Sequence, residues 1–426
     1  MLVFALFAIL LALILLSLPI GFALGVVAVG TYVALGEARI LIIMGQRMYE
    51  STTAFTLLAI PFFILAGILM NSGGVTVRIF RLASALVGWL TGGLAQVNVV
   101  ASLIFSGMSG AAVADAAGLG TVEMKAMTDR GYDRRFSAAV TAASSTIGPV
   151  FPPSIPLVIY GSITTVSVVQ LFIAGMVPGL LMGLTMMVGV YFVSRRRGYP
   201  KEKWRGFAEL RKSAVDAILP MGTPVIIIGG IFGGVFTPTE ASVVACAYAF
   251  VLGRFVYREI GWTDMPRILW ESLEHTVRIM FVIAVAGFFG WMLVQQRVPN
   301  QLITALLGVT NDPNLIIAII LGVLLILGMF LEGITILIIT IPLFLPILEQ
   351  IGYDKVQFGI VIVMATMVGL LTPPVGMVLY AVSSISKVSV GELSREVWPY
   401  LLGIFTVLVA VAYLPGLSLW LVDLVR

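Results

Sequence analysis

The segment Gly148-Pro149-Val150-Phe151-Pro152-Pro153 interrupts one of the most apolar parts of this chain, and Gly369-Leu370-Leu371-Thr372-Pro373-Pro374 interrupts another, 221 positions later. Proline offers no N–H to a helix and clashes with the turn before it, so neither segment can simply continue the helix leading into it. The same displacement, without a gap, pairs Gly131-Tyr132-Asp133 with Gly352-Tyr353-Asp354, Gly107-Met108 with Gly328-Met329, and Pro178 with Pro399. Glycine and proline carry most of the matches, and both serve backbone geometry. The chain therefore reads as two copies of one unit built around a broken membrane helix. In secondary transporters, Gly/Pro-interrupted segments at corresponding places in two repeats point to the substrate and ion sites.

Composition places those helices in a bilayer. The chain is 60% hydrophobic and 11% charged, with a mean hydropathy of +1.09, more apolar than a soluble core requires. A bilayer solvates no backbone polar group, so runs such as 2–18, and 401–414 after Pro399, must be helical. Residues 1–18 lack a basic start and a small-residue cleavage site, and read as the first membrane helix and not as a leader. The single cysteine, Cys246, excludes an intramolecular disulfide, and the single histidine, His275, leaves no His/Cys cluster for a structural metal. Both read as packing or interface residues.

Apolar runs near 2–18, 20–36, 53–72, 136–163, 176–194, 213–235, 240–258, 277–295, 356–383 and 397–423 are each long enough to span, at about 20 residues with allowance for tilt. Two further stretches, 93–127 and 314–347, are too long for one span and have a glycine-containing middle, so they read as re-entrant hairpins. With the N-terminus outside, Arg78, Arg81, Lys125, Arg130, Arg134, Arg135, Arg254, Arg258, Arg267, Arg278, Lys387 and Arg395 fall inside. So does the cluster Arg195, Arg196, Arg197, Lys201, Lys203, Arg205, Arg211 and Lys212. Only Arg39, Arg47, Arg297, Lys355 and Arg426 stay outside, in keeping with the positive-inside rule. Five spans per copy is an odd number, so the second copy starts inside and runs upside down.

The expected fold is thus an all-α polytopic membrane protein of two inverted-topology repeats, 1–212 and 213–426. Each has five spanning helices plus one re-entrant hairpin with a broken helix. Hairpin one opens toward the cytoplasm and hairpin two toward the other side, their tips meeting near the midplane. Both termini are expected on the periplasmic side of a bacterial inner membrane. Residues 38–52 and 263–276 are amphipathic and suit connecting arms along the membrane surface. The net charge of +4 reflects cytoplasmic loops facing anionic lipid headgroups more than a nucleic-acid partner.

Chemistry is expected at the breaks. Cutting the helical ladder frees carbonyls at the end of one half-helix and amides at the start of the next. Carbonyl oxygens suit sodium, while half-helix N-termini suit a carboxylate. Ser145 corresponds to Thr366, a hydroxyl three residues before each glycine, so two similar sodium sites are expected. Their candidate residues are Ser106, Ser109, Ser145, Gly148, Gly328, Thr366, Gly369 and Thr372. Pro152, Pro153, Ser154, Pro373 and Pro374 are the candidates for substrate contact. The tips differ in detail, because Ser106 and Ser109 correspond to Leu327 and Phe330. A plainer role for the tip glycines is to let helices approach closely. Asp115 and Glu332 lie at membrane depth, where an acid suggests ion or proton coupling by default. Capping a helix end or pairing with a neighbour is the other role open to each. No cofactor is expected beyond sodium as coupling ion.

Three segments carry a family resemblance. Leu58-Ala59-Ile60-Pro61-Phe62-Phe63-Ile64-Leu65-Ala66-Gly67, Gly233-Gly234-Val235-Phe236-Thr237-Pro238-Thr239-Glu240-Ala241 and residues 148–156 resemble hallmark segments of the large membrane subunit of tripartite ATP-independent periplasmic (TRAP) transporters. The likeness covers essentially the whole chain. It implies a sodium-driven importer of organic acids such as C4-dicarboxylates or sialic acid, and not an enzyme. It also implies two partners, a separate small four-helix membrane subunit and a periplasmic substrate-binding protein. An elevator mechanism is implied as well, with a block of about 93–163 and 314–383 moving against the remaining helices. Two alternatives stay open. One is a stand-alone sodium/carboxylate symporter. The other is an intramembrane serine protease, on the strength of Gly107-Met108-Ser109-Gly110, which would need a general base when His275 is the only histidine. An ATP-driven pump would need a phosphate loop of the Gly-x-x-x-x-Gly-Lys-[Ser/Thr] form, which the sequence does not contain.

Overall fold

Backbone groups at membrane depth find partners only within their own helix, and the apolar runs fold accordingly. The computed structural model describes residues 2–16, 18–109, 112–201, 204 and 206–425, and among them there are helices and turns but no strand. The first half contains α1 (Leu2–Leu15), α2 (Ile20–Ala34), α3 (Met44–Glu50), α4 (Ala59–Ser72), α5 (Val75–Val87), α6 (Gly93–Ser109), α7 (Ala112–Ala117), α8 (Leu119–Thr128), α9 (Arg134–Ser144), α10 (Ile155–Thr164) and α11 (Val168–Arg197). The second contains α12 (Gly206–Pro224), α13 (Gly230–Phe232), α14 (Pro238–Val251), α15 (Met265–Gln295), α16 (Val298–Val309), α17 (Pro313–Phe330), α18 (Gly333–Gln350), α19 (Lys355–Leu370), α20 (Met377–Ser386), α21 (Val390–Tyr413) and α22 (Gly416–Val425). Eight helical segments among the described residues are long and apolar enough to cross a membrane. Shifting α5, α6, α7, α9, α10 and α11 by 221 positions brings their starts within two residues of those of α16, α17, α18, α19, α20 and α21.

Several boundaries differ from the sequence expectation. The arm expected over 263–276 is the first part of α15, one helix of 31 residues that continues into the span. The run 397–423 is not one helix. It divides between α21 and α22 at Leu414-Pro415, because Pro415 has no N–H to extend the ladder. The amphipathic helices α5 and α16 were not anticipated at all. Their apolar stripes are narrow and interrupted by Arg78, Arg81, Asn300 and Gln301, so neither resembles a span. Hairpin one is also less regular than hairpin two. Its second arm is divided into α7 and α8 at Gly118, whereas α18 runs unbroken.

The two hairpins interlock with both broken helices. Hairpin one, α6 to α8, packs on α9, and hairpin two, α17 and α18, packs on α19. Each second arm then reaches across the repeat boundary, α7 to α20 and α18 to α10. The long helices α11 and α21 lie against this cluster, α11 on α6 and α19, and α21 on α9 and α19.

The repeated Gly-Tyr-Asp accounts for that last contact. Gly131 and Gly352 have φ of +84° and +69°, the left-handed conformation that glycine adopts without steric cost. The aspartates then cap the next helix: Asp133 accepts from the Arg135 and Phe136 amides, and Asp354 from those of Val356 and Gln357. The tyrosines between them hold the ends of the long helices. The Tyr132 hydroxyl donates to the Pro200 carbonyl just past α11 at 2.8 Å, and Tyr353 donates to the Ala412 carbonyl near the end of α21 at 2.7 Å. Gln357 adds a bond to the Val411 carbonyl.

Helix α21 also records the relative direction of the two copies. At its first turn Glu392 pairs with Arg135, at the start of α9, at 2.8 Å. One turn on, Glu396 pairs with Arg197, at the end of α11, at 2.5 Å. At the far end of α21 lie Tyr353 and Gln357, at the start of α19. The starts of α9 and α19 therefore meet opposite ends of one 24-residue helix, at points roughly 30 Å apart along it at 1.5 Å per residue.

If the tyrosines hold α11 and α21 in place, Tyr132→Phe and Tyr353→Phe should each cost about 1 kcal/mol. That loss should appear as a lower midpoint of thermal unfolding in detergent. An unchanged midpoint in both would mean that packing alone sets the position of the long helices.

Candidate functional site

Both helices break where the sequence places the interruption. After α9 the chain makes a tight 3-10 turn, Ser145–Ile147, and resumes as α10 at Ile155. After α19 it resumes as α20 at Met377. The paired hydroxyls behave alike. Ser145 donates to the Ala142 carbonyl at 2.9 Å and Thr366 to that of Val363 at 2.7 Å. Both residues are buried, and each hydroxyl oxygen keeps lone pairs that its own donated bond does not use.

Hairpin two closes on its break backbone to backbone. A Cβ on Gly328 would lie 2.8 Å from the Gly369 Cα, closer than side chains approach, and one on Gly369 would be nearer still. The Gly376 amide donates to the Met329 carbonyl at 3.1 Å, joining the start of α20 to the tip. Gly333 opens α18 beside the Thr366 hydroxyl, where an added Cβ would lie 3.5 Å from Oγ1. Gly328, Gly333, Thr366, Gly369 and the start of α20 are thus assembled in one place, with Thr372 bonded back to the Val368 carbonyl at its edge. Glu332 takes the capping role: its carboxylate accepts from the Ile334 and Thr335 amides at 3.0 and 3.3 Å.

On the first side, α6 and α7 both pack on the Ser145–Ile147 turn, which brings hairpin one to Ser145 and Gly148. The side chains of Ser106 and Ser109, at the end of α6, lie outside the described residues. Asp115 is buried on α7, as is Glu123 on α8.

The two proline pairs have different surroundings. Pro152, Pro153 and Ser154 are buried. The Ser154 hydroxyl is committed to capping α10, accepting from the Leu157 amide and donating to the Pro149 carbonyl. Pro373 and Pro374 are exposed, and α20 begins at Gly376 without a side-chain cap. The start of the half-helix therefore has a side-chain cap at the first break and none at the second.

Sequence reasoning missed three parts of this arrangement. Gly376 and the Met329 carbonyl have no distinguishing residue type. Asn98, a lone amide in an apolar arm, did carry a signal. It donates to the Thr141 hydroxyl at 2.8 Å and accepts from that of Ser144 at 2.7 Å. The Phe-Thr-Pro-Thr-Glu-Ala segment serves structure: Thr237 and Glu240 form a reciprocal capping box at the start of α14. Thr239 bonds to the Phe55 carbonyl, beside the Leu-Ala-Ile-Pro-Phe-Phe segment, so two of the three hallmark stretches meet away from the breaks. His275 is exposed on α15.

Comparison with known proteins gives a consistent result. The family model described as Tripartite ATP-independent periplasmic transporter, DctM component, matches residues 7–417. The sialic acid TRAP transporter large permease protein SiaM of Vibrio cholerae is 43% identical over 411 residues, covering 96% of this chain and 95% of that protein. The C4-dicarboxylate TRAP transporter large permease protein DctM of the same species is 34% identical over 437 residues, covering 98% and 96%. In three dimensions the YdaH transporter of Alcanivorax borkumensis, reported with an unusual topology, aligns over 91% of this chain and 89% of its own. The TM-score is 0.64 at 14% identity, a likeness of fold.

Gly369→Ala should push the second tip away from its break. Overpacking of about 1.4 kcal/mol there corresponds to roughly a tenfold loss of uptake. Gly183→Ala is the control, since a Cβ at that glycine meets its nearest neighbours at an ordinary 3.9 Å. Equal uptake by the two variants would contradict a close-fitting tip.

Proposed function

This chain belongs to the DctM-component family of tripartite ATP-independent periplasmic transporters, and from that membership we propose that it is the subunit that carries an organic acid across the bacterial inner membrane, driven by sodium. The observation that carries this reading is the second break, where glycine backbones, a buried hydroxyl and the uncapped start of α20 meet under a hairpin tip. Carbonyl and hydroxyl oxygens suit a hard cation, and the positive end of a half-helix suits a carboxylate. The acid is placed at the start of α20, beside Pro373 and Pro374. Sodium is placed at Ser145–Gly148 and at Thr366–Gly369.

Transport follows an elevator scheme built on two inverted repeats, 1–212 and 213–426. The opposed starts of α9 and α19 along α21 support the inversion. The moving block contains both hairpins and both broken helices, and also α11 and α21, which the Gly-Tyr-Asp contacts tie to it. The scaffold is formed by α1 to α5 and α12 to α16. Helix α10 packs on the scaffold helix α4, while Tyr380 on α20 is 53% exposed beside the exposed prolines. With the charged loops inside, α20 faces the cytoplasm, and this conformation is the inward-open one. The partners are a small membrane subunit and a periplasmic binding protein that delivers the acid.

Ser145→Ala and Thr366→Ala should each raise the sodium concentration for half-maximal uptake, by about fivefold for the loss of one hydroxyl contact. Unchanged sodium dependence in both would remove the ion assignment.

Reconstituted alone, the chain should give little uptake. Adding the small subunit and an acid-loaded binding protein should restore it. Full uptake by the isolated chain would instead identify a stand-alone symporter.

A further inference from the structure

The two breaks are related by the repeat, but their surroundings are not. Asn98 lies on α6, the first arm of hairpin one, and is fully buried. Its amide nitrogen donates to Thr141 Oγ1 at 2.8 Å, and its amide oxygen accepts from Ser144 Oγ at 2.7 Å. Thr141 and Ser144 occupy the last turn of α9, and Ser144 is the residue before Ser145. Both ends of one buried amide therefore fasten the hairpin arm to the end of the broken helix, immediately ahead of the turn where the ladder is cut. A buried amide with each end used is costly to disturb and specifies one geometry.

At the positions 221 residues on, the same three places hold Ile319, Ile362 and Ala365. None of these can make the relay. Hairpin two meets its break through apolar packing of α17 and α18 on α19, through the close approach of Gly328 and Gly369, and through the backbone bond from Gly376 to Met329. Backbone contact of that kind is lost once the tip lifts, whereas the Asn98 relay joins the arm below the tip.

We propose that Asn98 is a positioning residue that pre-assembles the first ion site, so that the two repeat-related sites bind sodium unequally. This rests on the reading that Ser145 and Thr366 each help to hold an ion. Ser145 is kept in register with hairpin one before any cation arrives, and the first site needs little ordering when it fills. The second site has no such relay to keep Thr366 in register with hairpin two, so more must be ordered as it fills and it is the weaker of the two. Preorganisation of this kind acts on affinity by reducing the cost of ordering. Asn98 touches neither ion nor substrate in this scheme. It acts through Ser144 and Thr141.

The test is a pair of double-mutant cycles on the reconstituted transporter, with sodium half-saturation for uptake as one readout. The second readout is the sodium-dependent rise in melting temperature of the detergent-solubilised protein. Asn98→Leu should raise half-saturating sodium about fivefold or more, as expected for the loss of a satisfied buried bond. It should leave the substrate KM at saturating sodium unchanged. Combined with Ser145→Ala it should add little further, while combined with Thr366→Ala the effects should multiply. Asn98→Asp in its protonated form keeps a donor for Thr141 and an acceptor for Ser144, so it should keep the wild-type sodium dependence at low pH and depart from it once the buried carboxyl ionises. Should Asn98→Leu misfold, Thr141→Val and Ser144→Ala each remove one end of the relay and should raise half-saturating sodium in the same way. A sodium shift in Ser145→Ala with none in the relay variants would overturn the proposal while sparing the ion sites. Equal coupling of Asn98→Leu to Ser145→Ala and Thr366→Ala would overturn it too. No sodium shift in Ser145→Ala or Thr366→Ala would remove the reading on which it rests.

Discussion

A peptide group at membrane depth needs a partner, and this fold is organised around the two places where the helical ladder cannot supply one. Each Gly/Pro interruption leaves carbonyls and amides that lipid does not solvate. Protein must cover them, and the covering is done by the two hairpins, the second of which brings a glycine at its tip against the break. At the second break the cover is close enough that neither Gly328 nor Gly369 tolerates a Cβ. At the first, the hairpin reaches the break through packing on the Ser145–Ile147 turn and through the Asn98 relay. Groups that serve no secondary structure are then gathered under the hairpin tips, which is where the proposed ion and carboxylate sites lie.

The cover must also stay with the break if the whole is to move. Packing of α7 on α20 and of α18 on α10 makes each hairpin depend on the other repeat's half-helix. Tyr132 and Tyr353 extend that unit to the ends of α11 and α21. One short motif thus turns the chain, caps a broken helix and secures a crossing helix, and it does so at opposite ends of the same block. Inequality between the copies then appears in exposure: the first proline pair is sealed and the second is open.

Much of this was legible in the sequence because backbone geometry depends on residue types that are hard to replace. The breaks, the hairpins and the pairing of Ser145 with Thr366 could be read from glycine, proline and the 221-residue displacement. Helices α5 and α16 could not, since a short amphipathic helix in an apolar chain lacks the run that marks a span. The ties of α11 and α21 to the broken helices were equally hidden, as they rest on hydrogen bonds from tyrosines to carbonyls 68 and 59 residues away. The relay at Asn98 was visible as an isolated polar residue, but its partners on α9 depend on how the hairpin folds back.

The claim on which the account depends is that the hairpins, both broken helices, α11 and α21 move as one body against the scaffold. It is tested most directly by pulsed electron–electron distance measurements in liposomes, with Cys246 replaced and spin labels attached at introduced cysteines. One pair joins exposed Ser384 on α20 to exposed Thr263 before α15, and a control pair joins Ser384 to exposed Arg395 on α21. The account predicts that the Ser384–Thr263 distance divides into two populations whose balance shifts with sodium and substrate, while the Ser384–Arg395 distance stays fixed. A single unchanging Ser384–Thr263 distance in protein that transports, or a control distance that moves with it, would contradict the rigid block.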